Sequence, residues 1–405
     1  MKRVLLLAMF LPPDTGGERG WYIAKALSKK GYNVIAVSNL QPHFKVGKNP
    51  EPWEFKDRVF IVRRPILNLG YRGFIRKFLM FASFMISIIP IIIKYGNKVD
   101  VIYSRGPHPF LDLPSLAYSK LKNKPLILDI TDAWPETLIY LNYKNSFLKI
   151  LILLGKLVNK YLFKEAKAVV THTHNLARYL IRNYRLRKIK IVRGVIDTTT
   201  FRPMSKKDAT VYIDDKTLRI ILDMNGLIVV YTGIIGPFQD LRRILKIAPY
   251  LHNHRFLIIG EGEERERLIE EKNKAGILNV EFLGLIPHKY IPYYLSLADL
   301  CLLPLTNIPF LEISLPKKML EYMACGKPIM YVGPKSEASF LIKKWKVGFV
   351  AEDEKELYTI LNMLSKEDKT LITMGINARK IAEKVFSLDS VGEKLGNLLD
   401  EVSRS

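Results

Sequence analysis

The chain of 405 residues carries 63 Lys and Arg against 39 Asp and Glu, a formal net charge of +24, and 48% of it is hydrophobic. Such a length exceeds most single cores, and such a composition excludes a disordered or low-complexity chain. The charge favours anionic partners, meaning nucleic acid, an acidic membrane surface or phosphorylated small molecules, and is silent on fold.

The opening MKRVLLLAMFL has the basic start and short apolar core of a signal peptide. PPDTGGERG, which follows, has no small-residue cleavage site and leads into the amphipathic WYIAKALSKKG, so a buried first strand is expected instead. Up to about residue 200 the apolar runs VLLLAMFL, VIAVSNL, VFIVRRP, DVIYSR, PLILDIT, AVVTHT and KIVRG alternate with helical patterns. That alternation predicts a parallel sheet covered by helices on both faces. Within it, residues 78–93 (FLMFASFMISIIPIII) are flanked by Arg72, Arg76 and Lys77 before and Lys94 after, and are interrupted by Pro90. They fall short of the roughly 20 residues that span a bilayer. They read either as a core helix or as a helix lying in the membrane interface, its basic flanks on anionic headgroups.

Around residues 198–228 the rhythm breaks, as at an interdomain connection, and then restarts with IVVYTGII, RFLIIGEG, VEFLGLI, LCLLPL, PIMYVG and GFVAE. Two successive α/β domains are expected, with strand carboxyl ends facing one cleft, where open α/β sheets bind ligands. Cys301 and Cys325 read as reduced packing residues of a cytosolic protein. Asp214 and Asp215 are adjacent in the connection rather than forming a D-x-D pair after a strand, so no metal is expected. His108, His172 and His174 stand at strand ends, and the packed or solvated reading outweighs a catalytic one.

Three glycine loops follow strands. The first, with Gly16, Gly17 and Gly20, is not G-x-G-x-x-G, and the second strand ends in Ser38 and Asn39 without a ribose-binding acid, so it does not carry a dinucleotide fingerprint. Gly16 and Gly17 form either a plain tight turn or an approach of backbone N–H groups to an anion. YTGIIGPFQDL and IIGEGEERERL repeat the pattern in the second half, which points to a nucleotide. In LPKKMLEYMACGKPI (315–329), Pro316 suits the first helical position, while Gly326 and Pro328 end the helix. Lys317 and Lys318, four and three residues before Glu321, share its face and either pair with it in solvent or face a ligand.

GGERGWYIAKALSKKG, DITDAWPE, KIVRGVIDTTTFRP, YTGIIGPFQDL, IIGEGEERERLIE, NVEFLGLIPHKYIPYYLSLADLCLLPL and KKMLEYMACGKPI resemble, in order and spacing, the retaining glycosyltransferases of the GT-B fold, glycosyltransferase family 4. The resemblance implies two Rossmann-like domains facing a central cleft. Residues 1–203 would bind acceptor, residues 204–385 the nucleotide-sugar donor, and residues 386–405 would cross back as a C-terminal helix. It places Glu321 at the second glutamate of E-x7-E, whose carboxylate accepts hydrogen bonds from the donor ribose. Gly16 and Gly17 would approach the diphosphate, Gly233 and Gln239 lie in the donor loop, and Ile286 would meet the base. Asp132 matches a cleft-facing catalytic position, with a helix N-cap as the alternative.

The departures are specific. Ile313 stands where the first glutamate should, with Glu312 beside it, and Ile234 and Gln239 replace the arginine and lysine that neutralise the diphosphate. Those charges need compensation, and Lys318 at the dipole-positive start of the Glu321 helix is the expected replacement, assisted by Arg19 or Arg105. G-x-I-G-x-x-Q-x-L, P-x-K and D-x-W-P-E resemble the subgroup that transfers amino or deoxy sugars in surface-polysaccharide assembly. The implied reaction moves a sugar from a nucleotide-diphosphate sugar, UDP favoured, to a hydroxyl of a lipid-linked or polysaccharide acceptor. It would proceed with retention, without metal or other cofactor, in the cytoplasm or peripherally on the inner face of the cell membrane. A sugar-nucleotide 2-epimerase or hydrolase on the same fold is the rival. A nucleic-acid-binding protein is a second, against which stands the lack of an aromatic platform motif or clustered Lys/Arg helix.

Overall fold

The computed structural model describes residues 2–12, 18–40, 50–67, 74–105, 109–141, 146–186, 189–214, 217–218, 226–365 and 368–404. The chain divides into two compact units, Met1–Val195 with Leu388–Ser405, and Ile196–Ser387.

The first unit is an eight-stranded sheet. Its strands are β1 (Arg3–Ala8), β2 (Asn33–Asn39), β3 (Trp53–Lys56), β4 (Val59–Arg64), β5 (Val101–Arg105), β6 (Leu126–Ile130), β7 (Ala168–Thr171) and β8 (Ile189–Ile191). They run in the order β3-β4-β2-β1-β5-β6-β7-β8, and every described pairing is parallel except β3 with β4. Leu5, Leu6, Ile102, Ile127 and Val170 are buried because helices cover both faces, which is why these strands read as continuous apolar runs. The helices are α1 (Glu18–Lys29), α2 (Phe74–Gly96), α3 (Leu113–Lys122), α4 (Ser146–Glu165) and α5 (His174–Tyr184). Right-handed crossovers put α1 on one face, since the chain moves from β1 to β2, and α2 to α5 on the other.

β3 is absent from the strand runs of the sequence. It is a largely exposed edge strand, joined to β4 by a two-residue turn in which Asp57 and Arg58 both have positive φ, 49° and 62°. That is the twist-matched hairpin turn, here without the glycine or asparagine that usually announces it.

The second unit is a six-stranded, all-parallel sheet of β9 (Ile228–Thr232), β10 (Arg255–Ile259), β11 (Val280–Gly284), β12 (Leu300–Pro304), β13 (Ile329–Val332) and β14 (Gly348–Ala351). All six answer to the runs expected in this half. Around it lie α6 (Lys206–Thr210), α7 (Arg242–Ile247), α8 (Arg265–Lys274), α9 (Ile291–Leu297), α10 (Lys317–Ala324), α11 (Glu337–Trp345), α12 (Glu354–Met363) and α13 (Lys369–Ile381). The order β11-β10-β9-β12-β13-β14 reverses direction between β9 and β12, so the carboxyl ends of those two strands flank a topological switch point. The last helix, α14 (Leu388–Arg404), belongs to the first unit and packs on α1.

The unit boundary falls at 195/196 rather than at 203/204, and at 387/388 rather than 385/386. Ile196 pairs in parallel with Ser387 and donates its N–H to Phe386 O at 2.8 Å. The Arg379 guanidinium on α13 binds the carbonyls of Thr198, Phe201 and Ala324, which fixes residues 196–203 to the second unit.

Candidate active site

At the switch point of the second unit, α10 presents two adjacent lysines in different directions. Pro316 is the N-cap rather than the first helical residue, with ψ at 130°, so the helix starts at Lys317, and Gly326 beyond it has φ 67°. Lys317 pairs one turn on with Glu321, Nζ to Oε1 at 2.8 Å. His288, in the single turn His288–Tyr290 after β11, brings Nε2 to the same oxygen at 2.8 Å, and Lys317 Nζ lies 3.1 Å from that ring nitrogen. Glu321 is 5% exposed. Burial alone would push its carboxyl up, but Lys317 and His288 outweigh burial and hold it well below the usual carboxylate range. Both described partners converge on Oε1, and a carboxylate oxygen such as Oε2 can accept two hydrogen bonds.

Lys318 turns the other way. Its Nζ donates to Tyr231 Oη at 2.6 Å and lies 3.9 Å from the ring centre. Tyr231 is buried at the end of β9 and donates in turn to Ile234 O. The lysine therefore reaches the loop after β9, where Gly233 has φ 129° and a Cβ would stand 2.8 Å from the ammonium. This loop is pressed against the one after β10, since a Cβ on Gly260 would meet Gly233 O at 1.8 Å. Burial pulls Lys318 down to about 7, with the Glu321 charge opposing. A lysine poised near neutrality, over an open glycine and beside a carboxylate, is a cation that a dianionic ligand would fully charge.

The first unit gathers a second polar cluster at the carboxyl ends of β5, β6 and β7. Arg19 of α1 is 12% exposed as a side chain and grips the buried Asp129 through Nε at 3.0 Å and Nη2 at 2.9 Å. Its remaining donors reach Arg193 O and Val192 O. Although burial opposes it, the Arg19 and Arg105 charges hold the Asp129 carboxyl below its ordinary value. His172 is buried and, pulled down to about 3 first by burial and then by neighbouring arginines, is a neutral imidazole. Among the described residues, Arg105 Nε, Thr171 Oγ1 and His172 Nδ1 are buried without a hydrogen-bond partner.

Asp129→Asn is expected to destabilise the protein by about 3 kcal/mol near neutral pH, because the buried Arg19 loses its counter-charge. With its pKa lowered on folding, Asp129 contributes this stability in full above pH of about 4, and the contribution disappears as pH falls through the lowered value. Denaturant melts of both proteins at pH 7 and under acid conditions measure the gap and its closing.

The structure thus brings together Glu321, Lys318 and Gly233 in one unit, and Arg19 and Arg105 around Asp129 in the other. Arg19 is committed to Asp129, whereas Arg105 Nε has no partner among the described residues. Asp132 is exposed in the bend after β6 and takes a hydrogen bond from Thr131 Oγ1 at 3.2 Å. Ile234 is 64% exposed, Gln239 sits against Gly236, and Ile286 lies two residues before His288. Glu312 is exposed on the turn Pro309–Ile313, while the described partners of Glu321 are Lys317 and His288. Gly16, Gly17 and His108 lie outside the described residues. His288 and Tyr231 escaped sequence reasoning, although His288 follows a strand by four residues, as a site residue in such a sheet would.

Two family models cover the two units in tandem: "Glycosyltransferase Family 4" matches residues 17–200 and "Glycosyl transferases group 1" matches residues 226–366. The chain is a GT-B glycosyltransferase of the group 1/family 4 type. Among curated proteins it is similar to WcaI of Escherichia coli, described as a colanic acid biosynthesis glycosyl transferase. The two are 23% identical over 339 residues, 80% of this chain and 82% of WcaI. Among solved structures it resembles sucrose-phosphate synthase from Thermosynechococcus elongatus, with TM-score 0.78, 17% identity and 99% of both chains covered. HepE from Anabaena, solved with UDP and glucose, follows with TM-score 0.70, 16% identity, and 99% of this chain and 100% of HepE covered.

Proposed function

We propose that the chain transfers a sugar from a nucleoside-diphosphate sugar to a hydroxyl of a saccharide or lipid-linked acceptor in the assembly of a surface polysaccharide. The observation that carries this reading is the placement of Glu321 and Lys318 one helix turn apart on α10, with separate partners. One offers a carboxylate oxygen to a ribose diol, and the other offers an ammonium over an open glycine loop to a diphosphate. Lys318 fills the electrostatic role that Ile234 and Gln239 cannot, so the diphosphate needs no resident metal. UDP is the favoured nucleotide, in line with the ligand of HepE. The WcaI likeness supports the polysaccharide context.

In the transfer itself, the acceptor oxygen forms its bond to the anomeric carbon as the bond from that carbon to the diphosphate oxygen breaks. The hydroxyl proton passes to the departing phosphate, so the new bond forms on the face the leaving group vacates and configuration is retained. Lys318 stabilises the charge that accumulates on the leaving diphosphate. Asp132 and Arg105, at the carboxyl edge of the first sheet, are assigned to the acceptor and donor sugar.

A thermal-shift series with UDP, GDP, ADP and inorganic pyrophosphate tests the reading. At 100-fold excess over Kd, the matching nucleotide should add about 2.7 kcal/mol of stability. If none of the nucleotides raises the melting temperature beyond pyrophosphate, the donor site is wrong.

A further inference from the structure

Helix α4 is apolar on the side it turns to water. Its inner face is fully used: Gly155 packs so closely on Pro135 that a Cβ would stand 2.8 Å from the ring, and Asn159 Nδ2 donates to Trp134 O at 2.7 Å. Yet Ile150, Leu153, Leu154, Leu157 and Tyr161, at the spacing of one helical stripe, are each 45–59% exposed. α2 repeats the arrangement. Met80, Phe84, Ile88 and Ile92 point into the unit, whereas Leu79, Ile86, Ile89 and Ile93 face out. α3 touches both helices and adds Leu121, 78% exposed, so three neighbours on one face of the sheet present a common apolar surface. Helices that are apolar on both sides belong in a core or at a lipid surface.

The charge around that surface selects the occupant. The three helices carry nine Lys or Arg, three on α2, two on α3 and four on α4, against the single acid Glu165. That acid is paired with Lys120 at 2.7 Å. Protein interfaces deplete lysine, while a lysine-edged apolar stripe matches the headgroup and acyl layers of an anionic bilayer. α2 is long and apolar enough to cross a membrane, but its inner face is built into the unit.

We infer that α2, α3 and α4 form a platform that lies on an anionic membrane surface, with their outer apolar side chains in the acyl boundary and their lysines at the headgroups. The platform stands independently of the donor site, which is in the other unit.

Flotation of the full chain with vesicles of phosphatidylcholine, with or without about a third phosphatidylglycerol, tests it. Binding to the anionic vesicles is expected, weakening as salt screens the lysines. Leu153→Ser with Leu157→Ser should lower binding roughly tenfold or more, and Lys149→Glu with Lys160→Glu should remove the preference for anionic lipid. Because all four side chains are exposed, both variants should keep the wild-type melting temperature and nucleotide response. Absence of flotation, or flotation unchanged in both variants, overturns the proposal. So does a concentration-dependent dimer, seen by sedimentation, that the serine variant disperses without any vesicle binding.

Discussion

Lys318→Met is expected to weaken binding of nucleoside diphosphate and of pyrophosphate alike, by about 100- to 1,000-fold, with a parallel loss of turnover. The stem of the side chain is kept, so the loss isolates the ammonium that lies over Tyr231 and against Gly233. The pH dependence carries the sharper test. In the unliganded protein Lys318 sits at about 7, far below its ordinary 10.5, so above neutral pH it is mostly uncharged until the diphosphate arrives. Binding then takes up a proton, and affinity should fall by up to about tenfold per pH unit above 7 while staying flat below it. Titration calorimetry in buffers of different ionisation enthalpy reads the proton directly, and the methionine variant should show none. The stability of the unliganded protein moves in the opposite sense. The folded state holds fewer protons than the unfolded one between about 7 and 10.5, so wild-type stability rises with pH across that window. The advantage of the methionine variant is full below about 7 and shrinks towards 10.5. A variant that binds pyrophosphate as tightly as wild type would remove Lys318 from the site.

Glu321→Ala should be as damaging to turnover but should discriminate between ligands. Two hydrogen bonds from a ribose diol to a buried carboxylate are worth about 3–4 kcal/mol together, or roughly 100- to 1,000-fold in nucleoside diphosphate affinity. Pyrophosphate has no ribose, and its affinity should hold or improve slightly as the nearby negative charge disappears. The fold should tolerate the change, because Lys317 and His288 are both partly open to solvent and can regain water. Equal losses for nucleotide and pyrophosphate would mean that Glu321 acts by holding α10 in place rather than by touching ribose. The two substitutions together therefore divide the donor into its sugar and phosphate halves.

The sheet of the second unit was readable because its strands are covered on both faces and stay apolar throughout, as in IVVYT and LCLLP. β3 was not, because WEFK lies on an open edge where nothing demands hydrophobicity. The role of Glu321 was legible from its helix position, yet its actual partners were only half so. Lys317 is one turn away in sequence, whereas His288 arrives from a turn after β11. The divergence of Lys317 and Lys318 follows from the rotation of about 100° between successive helical residues, but its meaning depends on Tyr231, 87 residues earlier. Arg19 shows the reverse case. Its charge suggested a role towards phosphate, and the chain spends it on Asp129, 110 residues away. An apolar stripe has the same period whether it faces in or out, so sequence raised the question for α2 and left α4 unnoticed.

The placement of α14 bears on how the protein is made. Gly392 lets this last helix press against the carbonyl of Ala26 on α1, and Tyr32 reaches Gly396 O, so the first unit is closed by the final residues of the chain. On a ribosome, the first 195 residues emerge with that face of α1 uncovered and stay so while the whole second unit is synthesised. The second unit, contiguous in sequence, can complete its core first. The first unit, split in sequence, therefore waits on residues made after the second unit.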